Sequence, residues 1–502
     1  MTTTAPTSAP GTARTFDSLD PRTATPIASY PVHTQAQVEA TVAVARRGAR
    51  YWESIGPATR RATLLAWRSV LARRADELAA VISAETGKPL DDARLEVALV
   101  VDHVHWAARN AERVLARRSR RPGLLMANHS VTVAYLPLGV VAVIGPWNYP
   151  AFTPMGSIVY ALAAGNAVVF KPSELSPGVG RWLADSFATV CASPEDAPVL
   201  ELVTGFGDTG AALCAAGVDK VAFTGSTATA KRVMAACAQT LTPVLLECGG
   251  KDAMIVDADA DLAAAADAAV WGGMANGGQT CIGMERVYVV EQVADRLVEL
   301  IVARARALRT GPGPAVSYGP MTLPAQLGVV QSHVAAALEA GGRAALGGTE
   351  SVHATYVDPV VLLDVPEGNL AVTEETFGPV LVVNRVADID EAVARANGSR
   401  YGLGASVFGT ARAAEVASRL RVGMVAVNSV LSFAAIAEVP FGGVGDSGFG
   451  RIHGADGLRE FSRTHSVITQ RWRPPLKLMS FRRRPRSART LLTLIRVLRG
   501  RR

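Results

Sequence analysis

The chain has 502 residues, of which 49% are hydrophobic and 19% charged. That is too long for one ordinary core and too apolar for a disordered chain, so two or three folded domains are expected. The net charge of +7 does not indicate a nucleic-acid-binding fold, because residues 471–502 alone hold eleven arginines and Lys477 and no acid, leaving the body of the chain net acidic.

The Thr-, Ala- and Pro-rich start lacks a basic segment followed by an apolar one, so residues 1–19 read as a disordered leader and not as a signal peptide. Helical spacing of apolar residues follows in Val38–Ala49, Arg60–Thr86 and Leu90–Leu115, with Gly87 and Pro89 as the stop signal after Thr86. From Val131 the texture changes. Short apolar runs at Val140–Ile144, Ala167–Phe170, Val199–Val203, Lys220–Phe223 and Val244–Leu246 alternate with helical segments at Thr153–Ala164, Gly178–Cys191 and Ala228–Thr240. Fully apolar strands separated by helices predict a parallel sheet covered on both faces.

A second alternating set predicts a second α/β domain. Its strands are Ala253–Val256, Arg286–Val290, Val380–Asn384, Ala405–Phe408 and Met424–Asn428; its helices are Leu262–Met274, Val293–Ala307 and Asp388–Asn397. No run of about 18 uninterrupted apolar residues is present, which argues against a spanning helix. The end of the chain, Phe481–Arg502, sets Leu491, Leu492, Leu494, Ile495, Val497 and Leu498 among arginines. Three readings stand for it: a basic amphipathic helix on an anionic membrane surface, a solvated tail, or a helix docked on a neighbouring subunit.

The five cysteines form no CxxC pair and no zinc spacing with histidine, so neither a disulfide framework nor a metal site is expected, and a reducing cytoplasm fits. Cys281 closes a Gly-rich polar stretch, Asn276-Gly-Gly-Gln-Thr-Cys281, which a buried structural cysteine would not require. Glu247 ends an apolar strand, where desolvation raises a carboxyl pKa and suits a general base; pairing with Lys251 is the structural alternative. Asn148, in Pro146-Trp147-Asn148-Tyr-Pro150 after another strand, offers an amide donor to an oxyanion, or is a plain turn residue. Lys171 and Glu174 close a third strand, and Gly225-Ser226 lead from a fourth into a helix. In open α/β sheets ligands bind beyond such strand ends, although GxGxxG is absent here.

Taken together, PWNYP around Asn148, KPSE at 171–174, FTGS at 223–226, ECGGK at 247–251, GGQTC ending at Cys281, EETFGPV at 374–380 and PFGGVGDSGFGRIHG from Pro440 resemble the aldehyde dehydrogenase superfamily over about residues 20–470. The Cys281 segment and the C-terminal extension resemble an actinobacterial-type branch often labelled succinate-semialdehyde dehydrogenase. The resemblance implies an α/β fold with a Rossmann-type cofactor domain (20–120 and 138–249), a catalytic domain (250–440), a small β oligomerisation extension (121–137 and 441–475) and the basic tail (476–502).

The resemblance also implies roles. Cys281 attacks an aldehyde to give a thiohemiacetal, Asn148 and the Cys281 N–H hold the oxyanion, and Glu247 activates the water that hydrolyses the thioester. Trp147, Lys171, Glu174, Gly225, Ser226, Glu375 and Phe377 bind the nicotinamide cofactor, and Phe441 lines the aldehyde tunnel. Glu174 favours NAD⁺, with NADP⁺ as the alternative. The implied partner is a small-molecule aldehyde, in a homodimer or homotetramer. Succinate semialdehyde as the specific substrate, with Arg286 and Arg451 as candidate anchors, and a CoA-acylating reaction are the alternative functions. Two departures stand out: Cys248 where leucine is usual, and Gly156 where relatives carry a bulky wall residue, which implies a wider tunnel.

Overall fold

The computed structural model describes residues 14–313, 315–473 and 480–500. Residues 1–13 of the expected leader and parts of the tail lie outside them. Residues 15–19 correct the leader: Thr15–Leu19 is a strand paired antiparallel with Pro26–Pro31. Phe16 supplies the reason, because its ring packs 5.1 Å from Phe206.

The larger of two compact units comprises Met1–Val114 and Pro137–Ser462. Its helix Leu90–Leu115 buries Ala93, Val97, Val100, Val104, Ala107, Ala111 and Val114, a three-four spacing that makes one apolar face. The helix expected over Arg60–Thr86 is two, Gly56–Arg73 and Ala75–Thr86, broken at Arg74 (φ −107°, ψ 25°). No glycine or proline marks that break. The second helix ends on left-handed Gly87, as its stop signal predicts.

One sheet of this unit orders its strands Gly448–Phe449, Val244–Glu247, Lys220–Thr224, Val140–Ile144, Ala167–Lys171 and Leu200–Leu202. All neighbours are parallel except the first pair. The other orders Arg343–Leu346, Val360–Leu363, Val380–Val386, Met284–Val290, Asp252–Val256, Gly404–Phe408 and Met424–Val427, again parallel apart from its first pair. Met254, Val256, Val287 and Val289 enter the core on one face of this second sheet; Ala253, Ile255, Tyr288 and Val290 enter the core on the other. Burial on both faces is why these strands read as unbroken apolar runs. Both sheets lie in one unit, and residues 441–462, expected in the oligomerisation extension, belong to it. The physical reason is the hydrogen bonding of Gly448–Phe449 to the edge strand Val244–Glu247.

The second unit comprises Leu115–Leu136 and Arg463–Arg502. It carries the strands Arg118–Arg120, His129–Pro137 and Ser462–Gln470, ordered with His129–Pro137 in the centre, and the helix Ser487–Arg499.

Candidate active site

The Cys281 loop is shaped by three successive left-handed residues, Asn276 (φ 55°), Gly277 (φ 64°) and Gly278 (φ 72°). A side chain at Gly278 would meet the Gly378 carbonyl at 2.1 Å, so the backbone passes where only glycine fits. Cys281 follows this turn, half-buried and facing a cavity of about 280 Å³. Burial, and then the carboxyls of Glu375, Asp252 and Glu247, push its thiol pKa up.

Asn148 is held against this loop. Its side-chain amide donates to the Gln279 carbonyl at 2.9 Å, and Asn276 donates back to the Asn148 carbonyl at 3.2 Å. One Asn148 N–H is thus engaged, and an amide has two. Beneath lies a pair that sequence reading missed. Buried Lys88 donates to the Asn148 carbonyl at 2.8 Å and to Glu96 at 2.7 Å, and Glu96 accepts from the N–H groups of Ala151 and Phe152 at 2.9 and 3.0 Å. The signal was present, since Glu96 sits on the apolar face of its helix beside Val97 and Val100. Lys88→Met leaves a buried carboxylate without its cation and is expected to destabilise the fold by about 3 kcal/mol. Differential scanning calorimetry should show a thermal midpoint several degrees lower; an unchanged midpoint contradicts the pair's role.

Glu247 ends its strand with its side chain only 2% exposed, lining the same cavity as Cys281. Neither of its carboxyl oxygens has a hydrogen-bond partner among the described residues. Burial raises its pKa well above the carboxylate range, opposed by Arg451 and reinforced by Glu460. The alternative partner, Lys251, is instead ion-paired to Glu285 and donates to the Thr376 hydroxyl at 2.9 Å. Glu247 is therefore left unpaired in the cavity wall, which a purely structural carboxylate would not be.

Glu285 orders the neighbouring loop by accepting from the N–H groups of Thr376 (2.8 Å) and Phe377 (2.9 Å). Phe377 sits at φ 52° with its ring edge-to-face on Trp147, centroids 5.6 Å apart. Glu375 accepts from the Gly250 N–H at 3.0 Å, and its pKa is pushed up to about 8 by burial first and then by Glu285. A side chain at Gly249 would lie 2.2 Å from the Glu375 carboxyl, so the second glycine pair also serves a close approach.

Ser226 caps the helix Thr227–Ala238, its hydroxyl accepting from the Thr229 N–H at 3.3 Å, directly after Gly225. Lys171 is buried at its strand end and donates to the Pro172 carbonyl at 3.2 Å; burial lowers its pKa, countered by Glu174. A capped helix N-terminus, a buried lysine and carboxylates at parallel strand ends fit the diphosphate and ribose hydroxyls of a dinucleotide.

The cavity wall is mostly apolar: Leu95, Leu99, Phe152, Trp271, Phe441 and Ile452 line it, with His453 beside them. Gly156 does not widen it, because a side chain there would meet His453 Nε2 at 2.7 Å and Ile452 Cδ1 at 3.0 Å; the missing bulk is filled by these neighbours. Neither arginine anchor lines the cavity. Arg286 donates to the Lys251 carbonyl at 2.6 Å, and Arg451 donates to the Gly443 carbonyl at 2.9 Å.

The model of the aldehyde dehydrogenase family matches residues 8–467. The chain is 38% identical over 468 residues to the 4,4'-diapolycopene aldehyde oxidase of Methylomonas sp., covering 92% of this chain and 87% of that one. It is 34% identical over 465 residues to a Mycobacterium ulcerans (strain Agy99) protein provisionally named succinate-semialdehyde dehydrogenase (NADP+) 2, covering 91% and 89%. The crystal structure of an NAD-dependent aldehyde dehydrogenase from Sinorhizobium meliloti superposes with a TM-score of 0.88 at 33% identity, covering 93% of each chain.

Proposed function

The chain belongs to the aldehyde dehydrogenase family and is an oxidoreductase acting on aldehydes, and on that premise we propose that it oxidises uncharged, apolar aldehydes to carboxylic acids with NAD⁺, through a thioester on Cys281 that water resolves. The observation that carries this reading is one apolar cavity shared by the Cys281 thiol and the unpaired Glu247 carboxyl.

The Cys281 sulfur attacks the aldehyde carbon, and the oxygen accepts from the free Asn148 N–H and the Cys281 backbone N–H. Asn148 keeps its aim because the Gln279 carbonyl holds its amide and Asn276 and Lys88 both hold its backbone carbonyl. When bound, the nicotinamide supplies the hydride acceptor and a positive charge beside a thiol that nearby carboxyls otherwise keep protonated. Trp147 and Phe377 would flank that ring, and Glu375, Lys171, Glu174, Gly225 and Ser226 would hold the riboses and diphosphate. Glu174 is a hydroxyl acceptor that would repel a 2′-phosphate, which supports NAD⁺ over NADP⁺. Glu247 then takes a proton from water as the water attacks the thioester carbonyl. The acid leaves and the thiol is restored. A water-activating carboxyl in this place also argues against transfer to coenzyme A.

Lys88 is the one lysine or arginine lining the cavity among the described residues, and it is already neutralised by Glu96, while the Asp92 carboxyl lines the same wall. A substrate carboxylate would find no partner there and would meet a like charge. The specific reading as a succinate-semialdehyde dehydrogenase is therefore the weaker one. Octanal is expected to exceed succinate semialdehyde in kcat/KM by at least about 100-fold, given the transfer free energy of its methylenes and the unpaired carboxylate. The reverse ranking in a steady-state NADH assay sinks the apolar assignment.

A further inference from the structure

The helix near the end of the chain takes no part in this chemistry. Ser487–Arg499 is a helix of 13 residues whose N-cap is Arg486. Leu492, Leu494, Val497 and Leu498 are about half exposed on it, and Phe481, just before it, is fully exposed. At 3.6 residues per turn, Leu494, Val497 and Leu498 fall within an arc of about 100°. By the same angles Arg489 and Arg496 fall on the far side of the helix, and Leu492 with them. Arg482, Arg483, Arg484 and Arg486 precede it, all exposed, and no Asp or Glu occurs from 471 to 502.

An exposed apolar face is costly in water and needs a cover. The surrounding charge decides which. A second copy of this tail would bring arginines against arginines. A nucleic acid would satisfy the arginines but leave the leucines and Phe481 in water. An anionic lipid surface answers both, with phosphates for the guanidinium groups and the acyl boundary for the apolar side chains. The helix is too short to cross a bilayer, and no described helix is long and apolar enough to do so. We propose that residues 480–500 bind the chain peripherally to anionic membranes, with Phe481, Leu494, Val497 and Leu498 inserted and the arginines at the headgroups. The proposal is independent of the substrate assignment.

The test uses the full chain and sucrose-loaded vesicles, sedimented at low and high salt, of either phosphatidylcholine alone or phosphatidylcholine with 30% phosphatidylglycerol (about a third anionic, to set a surface potential). The expected result is pelleting with the anionic vesicles only, reduced by salt, and weakened at least about tenfold in a Leu494→Asp/Leu498→Asp variant. Aldehyde oxidation by that variant in solution should be unchanged, showing that it folds. Three results overturn the proposal: no pelleting of the unsubstituted chain, equal pelleting with both vesicle types, or equal pelleting of the variant. A variant that instead changes oligomeric state on size exclusion, with no vesicle binding by the parent, assigns the face to a subunit contact.

Discussion

Cys281→Ala is expected to lower aldehyde-dependent NADH production by at least about 10,000-fold, to the level of a blank without enzyme. Two thiols line the cavity, so the paired control matters. Cys248 shares the wall, and burial and then Glu247 and Glu375 push its thiol pKa up, as burial and carboxyls do for Cys281, so position and not acidity separates the two thiols. It follows Glu247 on the strand end, where its backbone N–H donates to the Ser447 carbonyl at 3.1 Å. It does not follow a left-handed turn hydrogen-bonded to Asn148, as Cys281 does. Cys248→Ser should therefore keep kcat within about threefold, because no step depends on its sulfur. If the two variants exchange places, the nucleophile has been misassigned.

Glu247→Gln keeps the side chain's size and removes its basicity. The expected result is an NADH burst close to one per active site, followed by turnover slowed by about 100- to 1,000-fold. The split is informative: in the proposed mechanism acylation requires Cys281 and Asn148, whereas deacylation requires the base. The pH profile follows from the direction of the Glu247 shift. Burial raises the carboxyl pKa, so the ionised form that accepts a proton becomes more populated as pH rises. Steady-state kcat of the parent chain should climb with pH above the ordinary carboxylate range, and the residual turnover of the variant should lose that limb. A variant with no burst, or with the parent's pH profile, removes Glu247 from the deacylation step.

The parallel strands were legible because burial on both faces makes them apolar without alternation; Val140–Ile144 and Leu262–Met274 match their expected bounds. The Arg74 break was not legible, since it rests on one non-helical residue with no local marker. The helix Ala325–Glu339 was also missed: Ala325 is exposed and Leu327, Val329, Ala335 and Ala336 are half-buried, so apolar residues lie outside the buried face and blur the contrast between faces. At the site, strand-end position flagged Glu247 and the glycine-rich loop flagged Cys281. The Gly156 inference failed because the residue that fills its space, His453, is almost 300 positions away and no local pattern links them. The Lys88–Glu96 support failed to register for a different reason: a charge on an apolar helix face looks like an error in the pattern until its partner is in view.

The most direct test is the intact mass of Glu247→Gln after rapid mixing with octanal and NAD⁺, followed by peptide mapping. A thioester resolved by Glu247 predicts an octanoyl adduct, equal in amount to the burst, on the peptide that carries Cys281. An unmodified protein after a full burst, or an adduct on Cys248, contradicts it.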